Sequence, residues 1–310
     1  MAMTETVAEY ELIIVGGGPA GMTAAVYAAR KRLEALLLAG NIGGQALWAP
    51  AVENYMGYQY IEGTELMDKF QKQVASFPLE QRIGDGVTSI SQVAEGFEVR
   101  TDKGQVYRAR SVIVATGKRP QQLGVPGEER LTGRGVSYCA ICDGPVFGGE
   151  KVAVVGGGNS ALEAANDMIR IAEHVHLASK TLLTADEVLI DRASAASNLT
   201  MHPEHEVLSI EGSTRVEGIL LRNMKTGEGR DLEVHGVFVE IGLIPNSDLV
   251  SGIVHLNELG EIQVSCSCET GVPGLFAAGD VTNVPEKQIV VSAGEGAKAA
   301  LQAHRYLQRL

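Results

Sequence analysis

The stretch E-L-I-I-V-G-G-G-P-A-G-M, Glu11 to Met22, decides the fold. Glu11 to Val15 reads as a short buried strand, and the alanine-rich run Met22 to Arg30 reads as a helix. Between them lies Gly16-Gly17-Gly18-Pro19-Ala20-Gly21. Strand, G-x-G-x-x-G and helix in that order form the context a dinucleotide-binding turn requires. Gly16 permits the tight turn, Gly18 lets the backbone approach a pyrophosphate, and Gly21 lets helix pack on strand. The helix N-terminus adds free N–H groups and partial positive charge for the phosphates. A second strand, Glu34 to Ala39, comes next at the expected distance. It ends in Ala39-Gly40, where an acidic residue usually holds the ribose. A turn without a ligand is the bland alternative, and the strand-turn-helix context weighs against it.

The same grammar returns 140 residues further on. Lys151 to Val155 reads as a strand, Gly156-Gly157-Gly158-Asn159-Ser160-Ala161 as a G-x-G-x-x-A turn, Ala161 to Arg170 as a helix and His174 to Ala178 as the next strand. Two such units, too far apart for a short-period repeat array, predict two nucleotide-binding folds. Ser111 to Gly117 (S-V-I-V-A-T-G) and Gly274 to Val281 (G-L-F-A-A-G-D-V) read as two more buried strands. The second delivers Asp280 to a loop, where a carboxylate can bind ribityl or ribose hydroxyls or merely cap the loop. The expected architecture is therefore α/β, with two three-layer Rossmann-like domains. The first is discontinuous, residues 1–118 and 246–310, and residues 119–245 form a central domain inserted in it.

Composition narrows the class. The chain has 310 residues, 45% hydrophobic and 21% charged, enough for about two domains of ~150 residues. No apolar run approaches the ~20 residues of a spanning helix, so no membrane association is expected. The net charge of −12, from 26 Lys and Arg against 38 Asp and Glu, argues against nucleic-acid binding, which needs a basic footprint. Met1 to Tyr10 is polar and acidic, without the basic start and apolar core of a signal peptide. The cytoplasm is the expected compartment.

Four cysteines are too few for a disulfide scaffold. Cys139-Ala140-Ile141-Cys142, with Asp143 immediately after it, is a C-x-x-C pair just before the second nucleotide-type strand. Such a pair can close a disulfide that opens readily. Zinc would need two more soft ligands, and Cys266-Ser267-Cys268 is poorly spaced to supply them, so no metal is expected. Cys266 and Cys268 read as buried small hydrophobes near a strand. His202 and His205, flanking Pro203-Glu204, read as a solvated loop, and the seven histidines show no ligand spacing. Asp143 can give or take a proton during thiol–disulfide exchange, or simply belong to the turn at Gly144.

Taken together, these residues resemble the low-molecular-weight thioredoxin reductases over essentially the whole chain. The resemblance rests on G-G-G-P-A-G at Gly16, G-G-Q at Gly43 to Gln45, V-E-N at Val52 to Asn54 and A-T-G at Ala115 to Gly117. It continues with C-A-I-C-D-G at Cys139, G-G-G-N-S-A at Gly156, F-A-A-G-D-V at Phe276 and K-Q-I at Lys287. It implies an FAD in the discontinuous domain, its pyrophosphate held by Gly16, Gly18, Pro19, Ala20 and Gly21. Gly44, Gln45 and Asn54 would contact ribityl and flavin, Gly279, Asp280, Gln288 and Ile289 would close the site, and Ala115, Thr116 and Gly117 would line it. It further implies that Cys142 faces the flavin, Cys139 attacks the disulfide of thioredoxin, Asp143 handles protons, and the protein is a homodimer.

The chain departs from the resemblance in one place. NADPH-using members carry H-R-R-x-x-x-R after the second strand of the central domain, arginines that make charge-assisted bonds to the 2′-phosphate. Here the stretch is Ser179-Lys180-Thr181-Leu182-Leu183-Thr184. One lysine does not replace two or three guanidinium groups. Losing such bonds at ~1.5–3 kcal/mol each weakens binding at least about a hundredfold. Residues 121–247 also hold ten Lys and Arg against 18 Asp and Glu, a poor field for an anionic dinucleotide. The second turn could be purely structural, bind NADH, bind a second flavin as in diflavin relatives, or belong to an enzyme with another electron donor. The ferredoxin-dependent flavin thioredoxin reductases resemble the chain in having the cysteine and FAD motifs without the arginines, so ferredoxin is the expected donor. Trp48, the sole tryptophan, is expected against the flavin ring, where it would exclude a nicotinamide; packing in the core or a dimer interface is the alternative. Arg30, Lys31, Arg32, Lys118 and Arg119 are candidates for a basic docking patch. A ferredoxin–NADP reductase of the same fold would lack the cysteine pair, and a non-enzymatic nucleotide sensor would not need it.

Overall fold

The opening strand spans Ala8–Gly17 and is hydrogen-bonded in parallel to Ala35–Ile42 on one side and Val106–Val114 on the other. Its alternate side chains enter two separate cores. Leu12 and Ile14 face the helices Pro19–Arg30 and Ile289–Leu307, with Ala24, Ala25, Ala28, Ala299, Ala300 and Ala303. Ile13 and Val15 face the opposite layer with Phe97, Val99, Val250 and Ile262. A strand covered on both faces reads as an unbroken apolar run rather than as an alternation, which is why Leu12 to Val15 carries no polar residue. The alanines matter equally, because small side chains let the two helices approach each other and the sheet closely.

This computed structural model describes residues 7–49 and 52–310. The first six residues of the acidic opening segment lie outside the described residues, as do the side chains of Trp48 and Cys142. The chain forms two compact units, residues 1–119 with 244–310, and residues 120–243.

In the first unit the parallel strands run Glu80–Ile83, Ala35–Ile42, Ala8–Gly17, Val106–Val114. The last strand is shared along its length. Its first half pairs antiparallel with Gly96–Thr101, whose hairpin partner is Val87–Val93, and its second half pairs in parallel with Leu275–Ala277. The C-terminal segment thus completes the sheet begun by the N-terminal one.

In the second unit five parallel strands run Leu199–Pro203, His174–Ser179, Lys151–Val155, Gly236–Val239, Val136–Ser137. The helices Asn159–Met168 and Glu187–Ser194 cover one face. An antiparallel sheet of His205–Glu211, Gly218–Asn223 and Gly229–Leu232 covers the other through Val207, Ile219, Leu221 and Leu232. Each unit is a mixed α/β layer structure around a parallel sheet, the architecture the two glycine turns predict.

Three expectations are corrected. His202 is 3% exposed inside the strand Leu199–Pro203, and His205 opens the next strand. Neither lies in a solvated loop. Parallel register places alternate residues of adjacent strands side by side, so the imidazoles of His174, His176, His202 and His205 form a continuous row with centroids 4.7, 5.3 and 5.7 Å apart. Among the described residues no group of three or more His, Cys, Asp or Glu could hold a metal ion. Cys268 is buried as expected, but Cys266 is exposed. Lys118 is not free for docking, whereas the Arg119 side chain stays about half exposed. Lys118 pairs with Glu261 at 2.9 Å and is largely enclosed, while Arg119 pairs with Asp248 at 3.2 Å. Arg30, Lys31 and Arg32 lie at a helix end, and all three are exposed. Among the described residues no helix is long and apolar enough to cross a membrane.

Candidate functional site

The first glycine turn is shaped by close backbone packing. Gly16 has φ +119°, and a Cβ there would lie 2.2 Å from the Ala115 carbonyl oxygen. A Cβ on Gly21 would lie 1.8 Å from the Gly16 oxygen. Neither position can hold a side chain. Gly18 differs: its backbone is ordinary extended chain, and a Cβ would meet nothing within 4 Å. It caps the helix that starts at Pro19 without any side-chain hydrogen bond. The first helical N–H groups therefore face open space over a bare glycine, the arrangement an anion occupies.

Around this turn the fold collects the other expected residues. Gly44 opens a 3-10 turn, Gly44–Trp48, which also carries Gln45, and a Cβ on Gly44 would sit 3.6 Å from the Gly18 Cα. The Asn54 side-chain amide donates to Gln288 Oε1 at 3.0 Å, across 234 residues of sequence. Gln288 caps the last helix, which begins at Ile289. A Cβ on Gly279 would lie 3.0 Å from the Ala20 Cβ. Asp280 lies just beyond the strand Leu275–Ala277, and its Oδ1 accepts the Ser292 hydroxyl at 3.1 Å. The Ala115 N–H donates to Val15 at 2.7 Å, and Gly117 turns with φ +65°.

Three supports of this cradle escaped the sequence reading. Asn246 donates its amide to the Thr116 carbonyl at 2.8 Å and accepts the Thr116 hydroxyl on its own backbone carbonyl at 2.7 Å. Glu295, 4% exposed, accepts the Gly279 N–H at 2.8 Å. Burial pushes its carboxyl above the usual range, opposed by that N–H. The lone acid in the alanine- and glycine-rich run Ala293 to Ala300 was the one legible signal. Glu261 takes both Lys118 and Lys287, at 2.9 and 3.0 Å. Burial pushes its carboxyl up, but hydrogen bonds from Lys118, Asn257 and Lys287 outweigh that and hold it at about 2.

The second unit carries the cysteine pair. Cys139 is disulfide-bonded, while Cys266 and Cys268 are free. Cys142 lies in the short helix Ala140–Asp143. The Ser137 hydroxyl, from the edge strand Val136–Ser137, donates to Asp143 Oδ2 at 2.5 Å and accepts the Cys139 N–H at 3.1 Å. One serine thus ties the acid to the backbone of the first cysteine.

The second glycine turn repeats the backbone of the first. Gly156 has φ +150°, and a Cβ there would meet the Glu240 oxygen at 2.2 Å; a Cβ on Gly158 would meet nothing. Beyond the next strand the resemblance between the two turns ends. The segment after Ser179 folds onto the turn: the Thr184 N–H donates to Gly157 at 2.8 Å, and Asn159 and Asp186 exchange bonds of 2.9 and 3.0 Å. Lys180 reaches Glu206 at 3.5 Å, and Glu206 also takes the Arg222 guanidinium.

A dinucleotide cradle in one unit and a disulfide-bearing nucleotide-type fold in the other define a class of two-domain oxidoreductases. Residues 10–297 match the family described as Pyridine nucleotide-disulphide oxidoreductase, and the chain belongs to it. It is 41% identical over 301 residues to an alkyl hydroperoxide reductase subunit of Staphylococcus aureus (strain MSSA476), covering 97% of this chain and 59% of that protein. The chain thus spans less than two thirds of that relative's length. Its fold is similar to that of thioredoxin reductase from Lactococcus lactis, 34% identical, with a TM-score of 0.81 over 97% of this chain and 100% of the other. It is also similar to a ferredoxin-flavin thioredoxin reductase from Clostridium acetobutylicum, 30% identical, with a TM-score of 0.55 over 98% and 100%. The family implies a flavin dinucleotide, and the first cradle fits one. Gly18 leaves room for phosphate, the helix end above it is uncapped, and Asp280 offers a carboxylate of the kind that holds ribityl or ribose hydroxyls.

Proposed function

We propose that the chain is an FAD-dependent disulfide reductase that passes electrons through the Cys139–Cys142 pair to the disulfide of thioredoxin, with ferredoxin as donor. Residues 1–118 and 246–310 form the FAD-binding domain, and residues 119–245 form the domain that carries the dithiol. FAD, when bound, supplies two-electron chemistry that can be loaded one electron at a time. Gly16, Gly18, Pro19, Ala20 and Gly21 hold its pyrophosphate. Gly44, Gln45, Asn54, Ala115, Thr116, Gly117, Gly279, Asp280, Gln288 and Ile289 enclose the rest, with Trp48 against the ring. The Cys139 thiolate attacks the partner disulfide, and Cys142 resolves the mixed disulfide. Asp143, held by Ser137, handles the proton.

The observation that carries the choice of donor is the segment Lys180 to Asp186. It bears no arginine, its lysine is engaged by Glu206, and its backbone is bonded to the glycine turn. That closure leaves no guanidinium fork for a 2′-phosphate, so NADPH is a poor donor. Arg30, Lys31 and Arg32 remain as the basic cluster for an acidic electron carrier. A second copy is expected to cover the apolar groove lined by Met22, Val26, Tyr27, Phe70 and Val290.

The test is anaerobic titration of the yellow protein, monitored at the flavin absorption band. Reduced ferredoxin is expected to bleach it, and oxidised thioredoxin to restore the colour. Rapid bleaching by micromolar NADPH or NADH would overturn the choice of donor. That outcome is the second reading: a pyridine-nucleotide-driven reductase serving thioredoxin or a hydroperoxide-reducing system. Its support is the 41% identity to the alkyl hydroperoxide reductase subunit.

A further inference from the structure

Ser137 ends the edge strand Val136–Ser137, with Phe238 of the neighbouring strand as its parallel partner. It is 7% exposed, so water is a poor substitute for what its hydroxyl bonds. That oxygen has three neighbours within hydrogen-bond distance. The Cys139 N–H donates to it at 3.1 Å. Asp143 Oδ2 lies 2.5 Å away and the Cys139 carbonyl oxygen 3.3 Å away, two acceptors for one hydroxyl hydrogen. The Asp143 N–H donates to the same Cys139 carbonyl at 3.1 Å. Asp143 is thus tied to Cys139 by two routes, one through its own backbone and one through the serine.

A serine hydroxyl donates one hydrogen and accepts up to two. When Asp143 is ionised, the serine hydrogen goes to Oδ2, the shorter and charge-assisted bond. When Oδ2 carries a proton, the direction reverses. Asp143 then donates to the serine oxygen, and the serine hydrogen turns to the Cys139 carbonyl. The bond from the Cys139 N–H persists in both arrangements. Each protonation state of the acid is therefore satisfied without moving a heavy atom. Asp143 itself is exposed, open to an arriving partner.

We propose that Ser137 is a positioning residue whose hydroxyl lets Asp143 carry a proton from one sulfur to another, and that this suits the site to disulfides of basic, alkyl thiols. The proposal rests on Cys139 and Cys142 being the working pair. In the resolving step Cys139 is joined to a partner sulfur. The Cys142 thiol gives its proton to Asp143, and the Cys142 sulfur bonds to Cys139. The bond between Cys139 and the partner sulfur breaks, its electron pair leaves on the partner sulfur, and the Asp143 proton follows it. One disulfide replaces another, and no outside oxidant or reductant enters. Ser137 turns its hydrogen to the Cys139 carbonyl while Asp143 holds the proton and back to Oδ2 once it has left. A basic alkyl thiolate leaves slowly and is helped most by that proton; a weakly basic aryl thiolate leaves unaided.

The test needs neither flavin turnover nor a protein partner. The full chain, reduced with dithiothreitol and desalted, is mixed with excess hydroxyethyl disulfide (alkyl) or Ellman's reagent (aryl) and quenched with acid. Mass spectrometry of the peptide holding both cysteines gives the rate at which the mixed disulfide closes to the internal one. The readout is the ratio of the aryl to the alkyl rate. Ser137→Ala is expected to widen that ratio by about tenfold, whereas a purely structural loss slows both alike. An unchanged ratio would overturn the proposal. Asp143→Asn should widen it too, and adding Ser137→Ala to that variant should widen it no further; a further widening would mean that the serine does not act through the acid. Should Ser137→Ala fail to fold, Asp143→Asn decides the matter, since an unchanged ratio there leaves no proton transfer for the serine to serve. A chain that never closes the internal disulfide would sink the working pair and the serine's role together. A chain with the expected ratios but without thioredoxin activity would disprove the proposed partner and leave Ser137 in place.

Discussion

The two glycine turns share a backbone and differ in what surrounds them. In both, the first glycine has positive φ and a Cβ on it would lie 2.2 Å from the carbonyl oxygen of a neighbouring segment, while a Cβ on the third glycine would meet nothing within 4 Å. The middle glycines are alike too, packed by the end of the next strand: Asn41 for Gly17, Ser179 for Gly157. Around Gly18 the fold adds Gly44, the Asn54–Gln288 bond and Asp280. Around Gly158 it adds a segment bonded to the turn and a lysine bonded to a glutamate. The turn is thus a solution to packing a helix on a parallel strand, and the ligand is chosen by residues that arrive from elsewhere.

The strongest way to break this division of labour is Cys139→Ser. It should lower thioredoxin reduction by ~10³-fold or more while flavin per chain, read from the absorption spectrum, stays unchanged. Loss of flavin would show that the two regions are not separable.

Next comes an attempt to convert the second turn. Lys180→Arg with Thr181→Arg supplies two guanidinium groups where the 2′-phosphate readers are missing. NADPH bleaching should quicken by about tenfold to a hundredfold, short of the full worth of two charged bonds, because Glu206 competes for them. No change in stopped-flow bleaching would mean that the docked segment, not the missing charge, excludes the nucleotide.

The glycines sharpen the comparison further. Gly21→Ala forces a Cβ to 1.8 Å from a backbone oxygen and should cost about 1–3 kcal/mol or more, with loss of bound flavin. Gly158→Ala meets nothing and has extended backbone. It should leave flavin content unchanged and raise stability by ~0.4–1 kcal/mol. Thermal melts and flavin content of both variants check the contrast.

Acid should separate the units more gently. Burial first, then neighbouring His174, His202, Arg230 and Lys151, lowers His176 to about 4; burial, Arg230, His205 and His174 do the same to His202. The unfolded chain takes protons near 6.5, so their contribution is whole above that pH and is lost as pH falls towards 4. Glu261 contributes fully above 4.5 and is lost only as pH falls to about 2. The second unit should therefore loosen first, by on the order of 2 kcal/mol at pH 5. Hydrogen exchange, corrected for intrinsic rates and compared at pH 7 and 5, should show it in residues 120–243. A chain with His176→Gln and His202→Gln should lose the difference.

The histidine row also shows where sequence reading stopped. His202 and His205 flank a Pro-Glu pair, and local composition reads that as a loop. Only the register of Leu199–Pro203 on His174–Ser179 turns His202 inward. Lys118 failed as a docking residue for a similar reason: its partner Glu261 lies 143 residues away. Both strand-turn-helix units, by contrast, were legible because each is local, and so was the cysteine pair.

The sequence by itself determined the two dinucleotide-type turns, the strands that feed them, the C-x-x-C spacing and the missing arginines. These arise from backbone sterics, apolar patterning and side-chain chemistry within short windows. The tertiary structure alone decided that Asn54 meets Gln288, that Glu295 holds Gly279 and that Lys180 is taken by Glu206. Each of these is a contact between chain segments apart in sequence, set by strand order and register, and no local pattern encodes which distant group will fill a neighbour's empty hydrogen bond.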